Sequence, residues 1–358
     1  MDSDNEIFKC LMREKSAVNY AREIWVDNVK VVACILVVLG HFFQSMVASE
    51  IIADSNLYEW FNTTIYYFHV PLFFICSGYL YQRYSKVNNF RAWKSNVLKK
   101  LVALGIPYFT FSTATWVLKT IFSGAVNSEL GGIFETLFVR PTSPYWYLYA
   151  LFFIFLVTPT FADERMAATG LVVALAFKIF TLIGGGGSVL VILYILNYEI
   201  WFVMGMELCM VRFRDRSKTG WAAAGTVMGI LFLALSVLIY CFDVSFTGMS
   251  FLLGVMACMA VILVIAGTFE DGRQNRIFGF LAKYTMPIFL MHTLFAAPVR
   301  IILLKFDIFN PLVHMTLGIT ISFVGPIIAA LIMEKTVYLE FFLYPQKVVR
   351  RVKSSGKR

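Results

Sequence analysis

The stretch Val26-Asp27-Asn28-Val29-Lys30-Val31-Val32-Ala33-Cys34-Ile35-Leu36-Val37-Val38-Leu39-Gly40-His41-Phe42-Phe43-Gln44-Ser45-Met46 decides the fold class. Its two charges, Asp27 and Lys30, sit at one end, and the rest is almost wholly apolar. A membrane-spanning helix needs about 20 mainly apolar residues, and this run has that length. Further apolar runs cover 62–80, 101–121, 145–161, 167–183, 188–211, 221–241, 247–267, 282–304 and 312–335. The expected fold is therefore all-α, a polytopic membrane bundle of about ten helices over 26–335. A polar N-terminal tail (1–25) and a basic C-terminal tail (336–358) flank it.

Composition supports this. The 358 residues are 59% hydrophobic and 15% charged, and the mean hydropathy is +0.73. Ordinary soluble domains carry about 25% charged residues. Soluble enzymes, disordered chains, disulfide scaffolds and nucleic-acid binders are all excluded. The six cysteines form no CxxC pair, so no metal cluster or disulfide framework is expected. The first 25 residues contain no short apolar core with a small-residue cleavage site, so no cleavable signal peptide is expected.

Loop charges test the span count. Alternate loops hold 24 Lys/Arg in one set and only Arg140 and Lys305 in the other. By the positive-inside rule both termini are expected in the cytoplasm. The net charge of +9 is then topology and attraction to anionic lipid. Pro144-Tyr145-Trp146-Tyr147 is expected at the outer interface as an aromatic belt. Asn197-Tyr198-Glu199 interrupts the sixth run, which suggests a broken helix lining a polar cavity.

Ionisable groups inside a bilayer are expensive and mark function by default. His41 lies near the outer end of span one and His69 near the outer end of the oppositely directed span two, so the two share a depth. Neutral imidazole titrates near working pH and can remove a proton from an attacking hydroxyl. The bland alternative is a histidine that only bonds a neighbouring helix. Asp27 and Lys30 are i, i+3 neighbours that can pair, and Lys30 alternatively snorkels to the headgroups. Arg91, Lys94, Lys99 and Lys100 form a cytoplasmic patch. It can hold the phosphates of a nucleotide-bearing donor or simply set topology. Lys178 needs a partner, with Glu199 or Glu207 in reach. His292 sits near mid-span, and His314 reads as interfacial.

These motifs have a familiar order. Trp25-Val26-Asp27-Asn28-Val29-Lys30 followed by Leu36-Val37-Val38-Leu39-Gly40-His41 resembles the opening of the membrane acyltransferase 3 family, whose signature is a basic residue, ten residues, then His. Phe68-His69-Val70-Pro71 with Ser77-Gly78-Tyr79-Leu80 resembles the second-helix motif. Tyr145-Trp146-Tyr147-Leu148, Trp201-Phe202-Val203-Met204-Gly205-Met206 and Lys283 to His292 are similar to later signatures. The Asp-Asn-x-Lys and Phe-His-x-Pro variants look most like the fucose 4-O-acetylase-like branch. One departure stands out. The family commonly has Arg-x-x-Arg before a Pro-aromatic pair; here Pro107-Tyr108 is present and Lys100 falls near the first basic place, but Ala103 takes the second.

The resemblance implies a stand-alone O-acyltransferase of the bacterial cytoplasmic membrane. It would use acetyl-CoA as donor and no metal, and would acylate a hydroxyl of a cell-surface glycan or lipid-linked sugar. His41 would be general base or transient acyl carrier, and His69 would orient it or the acceptor. Asp27, grouped with the two histidines as catalytic, would orient the donor or its polar groups together with Lys30, and Lys30, Lys99 and Lys100 would bind the donor. A glycan or lipid transporter is the alternative, since broken helices and buried cations suit transport too.

Overall fold

A computed structural model describes residues 23–122, 131–213, 218–269 and 274–355. Among these residues the chain is helical and has no strand. Cys10, most of the N-terminal tail, Lys357 and Arg358 lie outside the described residues.

The helices of the bundle are α1 (Ile24–Ala48), α2 (Asn56–Tyr66), α3 (His69–Tyr84), α4 (Phe90–Ile121), α5 (Trp146–Val157), α6 (Glu164–Leu182), α7 (Leu190–Met210), α8 (Trp221–Cys241), α9 (Met249–Thr268), α10 (Arg276–Lys305) and α11 (Pro311–Met333). Two shorter helices follow, α12 (Val337–Leu343) and α13 (Pro345–Ser355). Side-chain caps start many of them. Asn89, Asp163, Asn275 and Asn310 each accept from a backbone N–H of the first turn, which satisfies one of the donors a helix start leaves unpaired.

Eight helices are long and apolar enough to cross a membrane: α1, α4 and α6 to α11. The expected bundle of about ten spans stands, with two of its spans in altered form. The second expected span is split by a break at Tyr67–Phe68, leaving α3 with 16 residues. The fourth, α5, has 12. At 1.5 Å per residue they are about 24 and 18 Å long, short of a bilayer core of about 30 Å. Ten of the sixteen residues of α3 and six of the twelve of α5 are buried in the bundle, and α2 with α3 covers the second expected span across the break.

The α3–α7 contact sits at the centre. A Cβ on Gly78 would overlap the Phe202 carbonyl, and one on Gly205 would overlap the Ile75 carbonyl. The two backbones touch, and only glycine on both sides permits it. Small residues at such crossings let membrane helices pack without a hydrophobic drive between them.

Contacts define two ends. Gln82 on α3 donates to the Phe161 carbonyl, Trp93 to the Leu156 carbonyl and Gln274 to Asn28. These, with Lys86, Lys99 and Lys100, mark the basic end. At the far end Tyr240 donates to Glu59, Arg300 to Ser45, and the buried His314 pairs with the Ile308 carbonyl. His314 thus sits at the far end, in the first turn of α11, and is buried there.

Two further expectations change. Helix α7 is continuous through Asn197–Glu199. Its polar side chains are satisfied sideways: Asn197 accepts from Lys178 at 3.0 Å and Glu199 from Thr158 at 2.6 Å, so the backbone has no reason to open. Lys178 is therefore partnered by Asn197 rather than by Glu199 or Glu207. The Tyr145–Tyr147 aromatics face inward rather than forming a belt. Tyr145 donates to the Leu290 carbonyl at 2.9 Å and Tyr147 to the Phe73 carbonyl at 3.2 Å.

Candidate active site

The break between α2 and α3 positions the first histidine. His69 opens α3 and its Nδ1 lies 2.6 Å from the Ile65 carbonyl across the break. A carbonyl only accepts, so Nδ1 carries the proton and Nε2 is left as the basic nitrogen. His292 on α10 is built the same way. Its Nδ1 is 3.0 Å from both the Ile288 and Phe289 carbonyls. Its Nε2 is buried without a hydrogen-bond partner among the described residues.

His41, two turns from the end of α1, stacks on His292 with ring centroids 5.4 Å apart. Its Nε2 is 3.3 Å from Ser143 Oγ. His41 and His69 line one cavity of about 210 Å³ with Ser143, Trp146, Lys178 and Asn197. The shared depth expected for His41 and His69 is thus realised. His292, read in the sequence as a mid-span histidine closing a family-like motif, and Ser143, which no motif marked, join them.

Asp27 and Lys30 lie elsewhere. Fourteen residues of helix put Asp27 about 21 Å from His41. Both residues line a second cavity of about 380 Å³ with Ser77, Leu104 and Tyr147. Lys30 also lines a third, of about 630 Å³, with Lys86, Lys99, Lys100 and Arg350. Among the described residues no carboxylate lines this basic cavity. Lys100 Nζ sits 3.6 Å from the Phe155 ring centroid, a cation–π contact. A π-helical turn over Leu101–Gly105 follows directly; such turns are frequent at functional sites. Ala103 is not among the lining residues.

The three cavities share walls. Lys30, Ser77, Leu104 and Leu151 belong to both the basic and the middle cavity. Phe73, Tyr147 and Phe289 belong to both the middle and the histidine cavity. These three rings meet one another with centroids 5.5, 5.9 and 5.7 Å apart. A lysine-lined cavity and a histidine-lined cavity thus flank one middle cavity, the second behind a triangle of aromatic rings.

A family model described as an acyltransferase domain matches residues 23–331, most of the chain. The chain belongs to the acyltransferase 3 family. It is a multi-pass membrane protein. Two nodulation proteins NolL are similar to it. The one from Sinorhizobium fredii is 30% identical over 159 residues, 44% of this chain and 42% of that protein. The one from Mesorhizobium japonicum is 27% identical over 139 residues, 38% of this chain and 35% of that protein. The match therefore spans less than half the length of either relative. No solved structure matches. Among the described residues no group of His, Cys, Asp and Glu is arranged to hold a metal ion.

Proposed function

We propose that this acyltransferase moves an acyl group, acetyl in the first instance, from cytoplasmic acyl-CoA to a hydroxyl of a cell-surface glycan or lipid-linked sugar. The reading places it in the cytoplasmic membrane with the basic end and both termini inside. The observation that carries it is the shared-wall path from the lysine-lined mouth to His41. Acyl-CoA is polyanionic at one end and carries its thioester on a long thin arm. A basic mouth suits the phosphates, and the middle cavity suits the arm.

In this reading Lys30, Lys99 and Lys100 hold the donor's phosphates, and Asp27 with Lys30 orients its polar groups. The thioester carbonyl reaches the aromatic triangle. The acceptor hydroxyl enters the histidine cavity and gives its proton to His41. Its oxygen then bonds to the carbonyl carbon, the carbon–sulfur bond breaks, and the thiolate leaves and takes up the proton. General base catalysis of this kind contributes about 10²–10⁴-fold. His69 and Ser143 position the imidazole and the acceptor. The transporter alternative drew on a broken helix and buried cations; α7 is continuous, and the lysines Lys30 and Lys100 line the cavity assigned here to the donor.

The test uses the full chain in nanodiscs with radiolabelled acetyl-CoA, wild type beside His41→Ala. Donor turnover or protein labelling that needs His41 is expected. A folded His41→Ala protein with full turnover would overturn the reading.

A further inference from the structure

The C-terminal segment after the last span reads in sequence as a lipid-attracted basic tail. In the structure it is a helix docked on the donor cavity. Helix α13 follows α12 directly, and both Gln346 and Arg350 line the basic cavity. Gln346 Nε2 donates to the Lys99 carbonyl at 2.8 Å, fixing the helix to α4 at the cavity mouth. Gln346 and Arg350 are i, i+4 neighbours and so share one face.

A second anchor holds the other side. Glu340 on α12 is 1% exposed and pairs with Lys347 Nζ at 2.7 Å and Arg351 Nη1 at 2.7 Å. Val348 is also buried. The charges of α13 are therefore divided. Lys347 and Arg351 are engaged by Glu340, whereas Arg350 faces a cavity whose other charged walls are all lysines. Like charges are not gathered around a guanidinium unless an anion comes between them.

We propose that Arg350, carried over the mouth by α13, binds the phosphate-bearing end of the donor, so that preference for a nucleotide-bearing thioester over bare pantetheine resides partly in the C-terminal helix. This rests on the donor assignment above. The shared chemistry is a phosphate, and a guanidinium grips phosphate bidentately. That phosphate has two sources, the donor or an anionic lipid headgroup.

The experiment separates them. Dissociation constants for acetyl-CoA and S-acetylpantetheine are measured on the full chain in neutral phosphatidylcholine nanodiscs and in nanodiscs containing phosphatidylglycerol. Wild type, Arg350→Ala and Arg350→Lys are compared. Arg350→Ala should lower the preference for acetyl-CoA about tenfold, equivalent to about 1.4 kcal/mol, in both membranes. Arg350→Lys should recover part of it. An unchanged preference overturns the inference and leaves the donor assignment standing. An effect confined to phosphatidylglycerol nanodiscs and equal for both thioesters makes the contact a lipid site and also overturns it. Wild-type protein that binds neither thioester defeats the donor assignment itself, and this inference with it.

Discussion

At the scale of single residues, the candidate chemistry depends on which nitrogen of each imidazole is free. His69 spends Nδ1 on a backbone carbonyl of α2 across the break, and His292 on carbonyls of its own helix, which leaves both Nε2 atoms basic. His41 differs, since Ser143 faces its Nε2. If His41 is the base and Ser143 only orients it, the two substitutions separate by size. His41→Ala should cost 10²–10⁴-fold in transfer rate, the usual worth of a general base. Ser143→Ala should cost about tenfold or less, because one neutral hydrogen bond is worth about 0.5–1.5 kcal/mol. Acyl-transfer assays on both variants check this, and equal losses would contradict the assignment. His41 and His69 were legible in sequence because depth along an apolar run can be counted. The stacking of His292 on His41 was not, because nothing local records which helices become neighbours.

At the scale of elements, polar residues misled where they were satisfied by other helices. Asn197 and Glu199 look in sequence like an interruption, yet Lys178 and Thr158 meet them from α6 and the segment after α5. The glycines of Ser77-Gly78 and Met204-Gly205 stood in the motifs, but their reason, backbone against backbone, needed the partner helix. The C-terminal helix offers a pH test outside the membrane. Burial works to raise the Glu340 carboxyl, but hydrogen bonds and charge from Lys347 and Arg351 outweigh it and hold the group below its ordinary range. A depressed carboxylate stabilises docking fully above the ordinary pKa, about 4.3, and that stability is lost as pH falls through the lower folded value. A spin label at position 352, an exposed site on α13, should stay immobile at pH 5 and above and loosen only below about pH 4.3. In Glu340→Gln it should be mobile at neutral pH. A label equally immobile in both proteins would show that Glu340 does not hold the helix.

At the scale of the whole molecule, two statements remain to be tested: which way the bundle faces, and whether its three cavities act as one path. The 24-to-2 division of basic loop residues places the basic end inside by the positive-inside rule. Cys241, exposed at the far end of α8, should then react with a membrane-impermeant maleimide on intact cells. Labelling that requires permeabilisation, and vanishes in Cys241→Ser, would invert the topology. The path itself turns on the triangle of Phe73, Tyr147 and Phe289, the shared wall between the middle and histidine cavities. Packed rings there would let a thioester carbonyl approach His41 while keeping water of the far end away from the donor. Removing one ring should therefore uncouple the reaction. Phe289 lines both cavities while its neighbours hold the helix through buried contacts, so Phe289→Ala opens the wall with the least loss elsewhere. Acetyl-CoA hydrolysis without acceptor should rise several-fold as transfer to acceptor falls, because water replaces the sugar hydroxyl at the same base. Hydrolysis and transfer that fall together would mean that the ring only supports packing, and unchanged values of both would mean that the donor never passes this wall.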